Sequence, residues 1–291
     1  MELLENIPSY TYLFEPLHAN WFPEAVKIDF KSRPYLPKDE SNEDWEEYLR
    51  KIFTGKIVSR MPLYGSKTFI SMSRLLSKKL IVKSVRLTRL LPWIAERFQL
   101  HSIIYIVRHP CATIASQLKT GFFGYHNHFP PYFNSCPTVD NIISEASQMD
   151  FADQELIEKL KKMDAIEEIL AAAWCLDNYI PLYVPETQMW TTLFYEKLIA
   201  DGESEINRLF KTLKYEDIAE IAVQQLKKPS FVTLGDEKKK LKSSDIQLSK
   251  WKKQFTQDQI NRILKVLSYF GLDFYSQENE PDYNHRLLKG L

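Results

Sequence analysis

The sequence predicts a protein of the α/β class, with a parallel β-sheet flanked by helices. Three short runs rich in apolar or β-branched residues are typical of buried strands: Leu80–Val85, Ile103–Val107 and Met189–Phe194. Helical patterns separate these runs, and such alternation favours a parallel sheet covered by helices. With 291 residues, of which 44% are hydrophobic, the chain is long enough to bury a large core. We therefore expect one domain over residues 1–291.

The helical patterns account for most of the remaining chain. They lie around Trp45–Phe53, Leu90–Phe98, Cys111–Leu118 and Gln154–Tyr183. Near the C-terminus, Thr256 and Gln259 have the spacing of a capping box, and Gly271 is placed to end the helix that follows. One face of that helix is predicted to belong to the core, with Ile260, Ile263, Leu264 and Leu267.

Composition excludes several classes of protein. The 38 basic and 38 acidic side chains cancel, so there is no overall field that attracts nucleic acid or an anionic membrane. Three scattered cysteines, Cys111, Cys136 and Cys175, are too few for a disulfide framework or a zinc site. No run approaches the ~20 apolar residues of a membrane span, and the first residues do not resemble a signal peptide. We expect a cytoplasmic location, no metal and no membrane span.

The segment Ile103–Ser116 ends an apolar strand abruptly in Arg-His-Pro. Arg108 and Tyr195 each follow a predicted strand, and ligands of open α/β sheets bind at the carboxyl ends of the strands. Pro110 begins a helix whose N–H groups favour an anion, and a guanidinium group can hold a phosphate through two parallel bonds. Ser116 comes about two turns along that helix, near enough for a second hydrogen bond. The pattern predicts a site for a phosphate monoester; the alternative is a surface salt bridge and a solvated serine.

The residues "RHPCATIAS" resemble a motif of the PAPS-dependent sulfotransferases, particularly the carbohydrate-type branch. In that family Arg-Asp-Pro-Arg-Ala, followed by a serine eight positions after the first arginine, holds the 3′-phosphate of 3′-phosphoadenosine 5′-phosphosulfate (PAPS). The matching residues are Arg108, Pro110, Ala112 and Ser116. His109 and Cys111 stand where the family has an acid and a base. The resemblance implies that Arg108 and Ser116 bind the 3′-phosphate of PAPS.

Other segments resemble the same family in order and spacing, and together they cover almost the whole chain. They are "YLFEPLH" (Tyr12–His18), "VKSVR" (Val82–Arg86), the tyrosine-glutamate segment Phe194–Leu213 and the tryptophan-to-glycine segment Leu248–Leu272. The resemblance implies a P-loop-like fold, in which Tyr195 lies near the adenine of the nucleotide.

One part of the family pattern has no counterpart in this sequence. The family holds the 5′-phosphosulfate with an Arg-Ser-Gly-Ser/Thr-Thr loop after its first strand, ahead of the Phe-Glu-Pro-Leu segment. Here Glu15 comes fourteen residues after Met1, so we expect the sheet to lack its first strand and the domain to be N-terminally incomplete. Neighbouring strands would then expose unpaired edges. We expect either a longer protein, in which a targeting segment could precede Met1, or a degraded copy.

The resemblance also implies roles for the residues near Glu15. Transfer of a sulfuryl group to an alcohol needs a base for the hydroxyl proton and cations that stabilise the charge on the moving group. Glu15 is the predicted base, since burial at the end of a strand would raise the pKa of its carboxyl group; a capping or salt-bridging glutamate is the alternative. Lys83 is predicted to stabilise the leaving group or the sulfuryl oxygens, and Arg86 to help with the substrate. Small-molecule sulfotransferases have a histidine where this chain has Val85.

The predicted function is therefore a sulfotransferase that moves a sulfuryl group from PAPS to a hydroxyl group of a carbohydrate or another alcohol acceptor. The alternative is a catalytically inactive remnant, or a binding protein that depends on a partner, because the 5′-phosphosulfate loop is absent. A kinase is the least favoured reading, since no Gly-Lys-Ser/Thr loop occurs. The aromatic segment Lys119–Pro137 is predicted to lie over the acceptor, and the lysine-rich Gly235–Asp245 to be a solvated loop.

Overall fold

The computed structural model of the chain describes residues 10–18, 22–28, 30, 33–56, 79–121, 125–126, 134–183, 189–226 and 244–288. Within them the strands are β1 (Tyr10–Phe14), β2 (Lys79–Lys83), β3 (Ile104–Val107), β4 (Tyr125–His126), β5 (Asn134–Ser135) and β6 (Thr191–Phe194). The helices are α1 (Pro23–Lys27), α2 (Glu43–Phe53), α3 (Leu91–Arg97), α4 (Pro110–Thr120), α5 (Val139–Ala146), α6 (Gln154–Leu160), α7 (Ile166–Tyr183), α8 (Tyr195–Ala200), α9 (Gly202–Thr212), α10 (Ala219–Leu226), α11 (Ser244–Leu248) and α12 (Gln257–Tyr269). Short 3₁₀ turns lie at Thr88–Leu90, Glu216–Ile218, Lys250–Lys253 and Arg286–Leu288.

The longer strands form two parallel pairs, which confirms the predicted α/β class. β1 pairs with β2 so that Phe14 lies opposite Lys83. β3 pairs with β6 so that Val107 lies opposite Phe194. The bounds of β2, β3 and β6 fall within two residues of the predicted ones. Each pair therefore brings the ends of two strands that are far apart in sequence to one edge.

The chain divides into two compact units. The first contains Met1–His101, His126–Phe133 and Ile206–Thr233, and the second contains Ser102–Tyr125, Asn134–Glu205 and Leu234–Leu291. The β1–β2 pair belongs to the first unit and the β3–β6 pair to the second. That one domain covers residues 1–291 stays a prediction.

In the first unit, α2 supports the end of β1. The Asn42 side chain accepts a hydrogen bond from the backbone N–H of Trp45 (3.0 Å) and so caps the helix. The buried face of α2 carries Trp45, Tyr48, Leu49 and Ile52. From this face the Tyr48 hydroxyl donates to the carbonyl oxygen of Pro16 at 2.9 Å. This hydrogen bond holds the turn that follows β1 against α2.

In the second unit, α7 is the central helix. It is buried along most of its length, as the apolar sequence from Ile169 to Leu182 predicts. Helices α4, α5 and α12 pack against it. Arg262 of α12 donates from Nε (3.0 Å) and Nη2 (2.5 Å) to the buried carboxylate of Glu167, which ties α12 to the start of α7.

The predicted helical stretch Gln154–Tyr183 is two helices, α6 and α7, and not one. The carboxylate of Glu168 accepts hydrogen bonds from the backbone N–H groups of Asp164 (3.3 Å) and Ala165 (3.2 Å). These N–H groups are those that the start of a helix leaves without intrahelical partners. The Glu168 side chain therefore begins a new helix where the sequence pattern alone indicated continuation.

The predicted C-terminal helix is confirmed as α12. Thr256 and Gln259 form both hydrogen bonds of the capping box, and Gly271 has a φ of +65° just after the helix end. Ile260, Ile263 and Leu267 are buried as predicted, and Leu264 is half-buried. None of the helices in the described parts of the chain combines the length and the apolar character that crossing a bilayer would need.

Candidate functional site

Arg108 and Tyr195 meet at the carboxyl end of the β3–β6 pair. Val107 and Phe194 are opposite each other in the parallel register, so the next residue of each strand leaves the sheet at the same edge. The guanidinium carbon of Arg108 lies 4.6 Å from the centre of the Tyr195 ring, within the range of a cation–π contact. The Tyr195 hydroxyl accepts a hydrogen bond from Nε2 of Gln247 at 2.9 Å. The structure thus brings together two of the predicted nucleotide-binding residues.

The guanidinium group of Arg108 keeps an unused donor. Its Nε is buried and has no hydrogen-bond partner among the described residues, and no carboxylate of these residues forms an ion pair with it. Leaving a buried donor unsatisfied costs about 1–3 kcal/mol. An oxygen of a bound anion would satisfy it. A half-buried arginine with a free N–H group is therefore suited in charge and in hydrogen-bonding capacity to a phosphate.

His109 caps helix α4. Its Nδ1 accepts a hydrogen bond from the backbone N–H of Cys111 (3.2 Å), so Nδ1 carries no proton. Its Nε2 lies 3.1 Å from the carbonyl oxygen of Ser276, which requires that Nε2 donate. Burial, with smaller effects of the nearby charges on Lys252 and Arg108, lowers the pKa of His109 to about 4. The imidazole is therefore neutral at pH 7.

A buried carboxylate lies on the other side of the same turn. Glu196, which follows Tyr195, accepts hydrogen bonds from the backbone N–H of His109 (2.8 Å) and from the hydroxyl of Tyr275 (3.0 Å). Burial raises the pKa of the Glu196 carboxyl group, and these hydrogen bonds lower it in part. The indole N–H of Trp174 donates to the carbonyl oxygen of Arg108 at 3.1 Å. Side chains thus hold both groups of the peptide between Arg108 and His109, the carbonyl oxygen and the N–H.

Aromatic rings enclose the imidazole. Trp251 stacks on His109 with the ring centres 4.5 Å apart, and Tyr275 approaches its edge at 4.7 Å. Sequence reasoning did not find these neighbours, because they come from segments more than 100 residues further along the chain. The capping role of His109 had a local signal, since a polar residue directly before a proline at the first helical position is placed as an N-cap.

Ser116 lies two turns along α4, on its exposed face. Its neighbours Ile114 and Ala115 face the core. No hydrogen bond joins its side chain to Arg108 within the part of the chain that the structure describes. The predicted role of Ser116 at the phosphate therefore stays a prediction.

Glu15 and Lys83 form a buried ion pair in the first unit. They lie at the carboxyl ends of β1 and β2, and the backbone N–H of Glu15 donates to the carbonyl oxygen of Lys83 at 2.8 Å. The Lys83 ammonium group donates to Oε1 of Glu15, and the backbone N–H of Val85 lies 3.2 and 3.3 Å from the two carboxylate oxygens. The Lys83 side chain is only 13% exposed and the Glu15 side chain only 6%. Glu15, the predicted base, and Lys83, the predicted cation, therefore bind each other.

Arg86 lies close to this pair. It is 3% exposed, and burial lowers its pKa to about 10, while the charge of Glu15 acts in the opposite direction and that of Arg33 adds to the lowering. The predicted role of Arg86 with the substrate stays a prediction.

The described residues contain neither a cluster of metal ligands nor a disulfide. No group of three or more histidine, cysteine, aspartate or glutamate side chains in these ranges is placed to hold a metal ion. Cys111, Cys136 and Cys175 are free thiols. Most of the predicted acceptor loop Lys119–Pro137 and of the lysine-rich segment Gly235–Asp245 lies outside the described residues.

Comparisons of the chain with models of known protein families, with curated proteins and with solved structures give no significant match. A function is therefore inferred from the Arg108–Tyr195 pair, the Glu15–Lys83 pair and the sequence motifs.

Proposed function

We propose that this chain has a P-loop-like fold and is a sulfotransferase that uses PAPS, whose 3′-phosphate Arg108 binds. The observation that carries the proposal is the guanidinium group of Arg108, which stacks on Tyr195 at the carboxyl end of two parallel strands and keeps a buried N–H donor without a partner. The order of the sequence motifs supports PAPS over other nucleotides. The acceptor is a hydroxyl group of a carbohydrate or another alcohol.

The reaction itself is a transfer between two oxygens. The acceptor hydroxyl loses its proton, its oxygen forms a bond to sulfur, and the bond between sulfur and the phosphate oxygen breaks, which leaves adenosine 3′,5′-bisphosphate. PAPS supplies the activated sulfuryl group. The protein contributes position and electrostatic stabilisation, as it does in phosphoryl transfer.

Within this proposal each residue pair has a separate task. Arg108 neutralises the 3′-phosphate and donates to it from Nε, while Tyr195 offers the adenine the part of its ring that Arg108 leaves uncovered. Glu15 takes the proton from the acceptor hydroxyl, and Lys83 stabilises negative charge that develops on the transferred group. To act as a base, the Glu15 carboxylate has to give up at least one of its present contacts with Lys83 and Val85.

A second candidate is a protein that binds the nucleotide but does not turn it over. Both carboxylate oxygens of Glu15 are engaged, which favours this candidate.

Calorimetric titration with adenosine 3′,5′-bisphosphate tests the proposal. We expect binding by the wild-type chain and a loss of about 100-fold in affinity in Arg108→Ala, equivalent to the ~3 kcal/mol of a charge-assisted contact. Arg97→Ala is the matched control, because Arg97 also stacks on an aromatic ring, with 4.7 Å between its guanidinium carbon and the centre of Trp93. Equal binding by the two variants would contradict the proposal.

Turnover separates the two candidates once binding is established. Labelled sulfate should pass from PAPS to a hydroxylated acceptor from a glycan and alcohol panel if the chain is an enzyme. Glu15→Gln should abolish this transfer. Because the change also removes the partner of Lys83, circular dichroism has to show that the variant is folded under the assay conditions. Its affinity for adenosine 3′,5′-bisphosphate should be unchanged, because Arg108 and Tyr195 belong to the second unit. Binding without transfer to any acceptor would favour the second candidate.

A further inference from the structure

We propose that His109 is a positioning residue of the Arg108 site. The two nitrogens of its neutral imidazole connect the first turn of α4 to the C-terminal segment Gly271–Leu288, and this connection is called the tie. The proposal rests on the proposed function, because the site that it positions is the one assigned to the 3′-phosphate. Its structural part, the tie, can be tested without any nucleotide.

The first half of the tie is the cap of α4. Nδ1 of His109 accepts the hydrogen bond from the backbone N–H of Cys111, one of the donors that a helix start leaves unpaired. The His109 carbonyl oxygen meanwhile accepts from the backbone N–H of Thr113 at 3.0 Å and from its hydroxyl at 3.2 Å. His109 thus determines how the helix begins directly after Arg108.

The second half of the tie is the C-terminal segment. Nε2 of His109 donates to the carbonyl oxygen of Ser276, and the neighbouring Tyr275 hydroxyl donates to Glu196. The segment closes on itself nearby, where the backbone N–H of Asp282 donates to the carbonyl oxygen of Phe274 at 2.8 Å. The imidazole is therefore one of two links between this segment and the turn that carries Arg108; the other runs from the Tyr275 hydroxyl through Glu196 to the backbone N–H of His109.

The consequence for Arg108 follows from the peptide that it shares with His109. The carbonyl oxygen of Arg108 is held by the indole of Trp174, and the N–H of His109 is held by Glu196. With the His109 side chain also fixed on both sides, this peptide plane has little freedom to rotate. The direction of the Cα–Cβ bond of Arg108 is then restricted before any ligand binds, and the contact with Tyr195 restricts the guanidinium group itself, which together reduce the ordering cost of binding.

The chemistry explains why histidine suits this position better than an acid. A carboxylate in place of His109 would accept from Cys111, but it has no proton to donate to the Ser276 carbonyl oxygen. It would also bring a second buried negative charge close to Glu196. A neutral imidazole accepts at one end and donates at the other, and it stacks on Trp251 as well.

Two amide variants separate the halves of the tie. In His109→Asn the side-chain oxygen takes the place of Nδ1, so the cap is kept and the bond to Ser276 is lost. In His109→Gln the side-chain amide takes the place of Nε2, so the bond to Ser276 is kept and the cap is lost. His285→Gln is the control, because it changes another histidine of the same segment, one that contacts Asp273 and lies outside the tie.

Hydrogen–deuterium exchange reads the tie directly. We expect faster exchange at residues 274–282 only in His109→Asn, and faster exchange in the first turn of α4 only in His109→Gln. Nitrogen NMR of the wild-type imidazole at pH 7 should show a proton on Nε2 and none on Nδ1. A proton on Nδ1, or an exchange pattern that is the same in both variants, would overturn the tie.

The affinity for nucleotide tests whether His109 positions Arg108. We expect each His109 variant to bind adenosine 3′,5′-bisphosphate about 10-fold more weakly than wild type, with His285→Gln unchanged. Wild-type affinity in both His109 variants would overturn the positioning role. If the wild-type chain itself binds no nucleotide, the proposed function fails, and the exchange pattern alone then decides whether the tie exists.

Discussion

Glu15 has a φ of +43°, a left-handed backbone conformation that residues other than glycine rarely adopt. Holding a residue there costs on the order of 1–3 kcal/mol, and such residues cluster at functional sites. Several contacts oppose this cost: the ion pair with Lys83, the bond to the N–H of Val85 and the turn bond from His18 to the Glu15 carbonyl oxygen (3.0 Å). These contacts, and not the intrinsic preference of a glutamate, determine the backbone conformation of Glu15.

We predict that removal of either charge of the Glu15–Lys83 pair will destabilise the first unit strongly. A buried charge that loses its partner typically costs about 3–5 kcal/mol, so we expect that range for Glu15→Gln and for Lys83→Met. The double variant should lose much less than the sum, because it leaves neither charge alone. Urea unfolding measures all three.

The exposed pair Glu47–Lys51 provides the control for this prediction. Its side chains are 69% and 52% exposed, so Glu47→Gln should leave the urea midpoint unchanged. Additive losses in the Glu15–Lys83 double variant would show that the pair contributes as two separate residues and not as an ion pair.

The sequence predicted individual residues where a local pattern pointed to them. Arg108 stood out because it follows an apolar strand and precedes a proline-containing turn, whereas Glu15 was singled out because "YLFEPLH" resembles a segment of a known family. The partners of His109 had no such signal: Glu196 and Ser276 are 87 and 167 residues away from it along the chain. Only the folded backbone brings these groups together. The sequence therefore predicted Arg108 but not the residues that hold His109 beside it.

At the scale of elements, prediction succeeded where periodicity and end signals agreed. The end of α12 was predicted from Gly271, and strands β2, β3 and β6 were predicted from their apolar runs, whereas β1, β4 and β5 were not among those runs. The break between α6 and α7 was missed, because a glutamate in the first turn of a helix also fits its interior. At that boundary Glu168 accepts two hydrogen bonds, from the N–H groups of Asp164 and Ala165, which stabilise the start of α7.

We predict that Gly271→Ala will destabilise the second unit more than Gly121→Ala does. Both glycines end a helix with a φ near +65°, which any other residue adopts at a cost of about 1 kcal/mol. A Cβ at Gly271 would lie 2.5 Å from the Tyr183 hydroxyl, whereas one at Gly121 would have no heavy atom within 4 Å. The hydroxyl is also held in place, since it donates to the carbonyl oxygen of Gly271 at 3.0 Å.

Thermal unfolding of the two alanine variants checks this difference. Tyr183→Phe removes the hydroxyl that causes the clash, so it should recover part of the loss when combined with Gly271→Ala. Equal melting temperatures for Gly271→Ala and Gly121→Ala would mean that backbone conformation alone accounts for both, and that Tyr183 yields without cost.

At the scale of the whole molecule, the 38 basic and 38 acidic side chains balance, and the six histidines are the side chains whose ordinary pKa lies near neutrality, so the net charge changes slowly there. The pH dependence of stability is then dominated by individual buried groups. His109 and Glu196 are the two such groups at the Arg108 site, and the charged neighbours that act on His109 are Lys252 and Arg108. Burial acts on the two in opposite senses, lowering the pKa of His109 and raising that of Glu196.

We predict that the contribution of His109 to stability disappears as the pH falls from about 6.5 to about 4. In the unfolded chain the imidazole has its ordinary pKa near 6.5, and in the folded chain its pKa is about 4, so only the unfolded chain takes up this proton in between. The free energy of unfolding should therefore fall by roughly 3 kcal/mol over this range. Glu196 acts in the other direction, because its raised pKa lets the folded chain take up a proton at a higher pH than the unfolded chain does.

Urea unfolding of the wild-type chain and of His109→Gln, measured from pH 8 to pH 4, isolates the histidine because Glu196 is common to both. The advantage of the wild-type chain should be constant above pH 7, shrink steadily below pH 6.5 and level off near pH 4. In Glu196→Gln the loss at low pH should be steeper than in wild type, since the opposing group is gone. Parallel curves for wild type and His109→Gln would show that the imidazole is not held neutral, and the account of His109 as donor to Ser276 would fail with it.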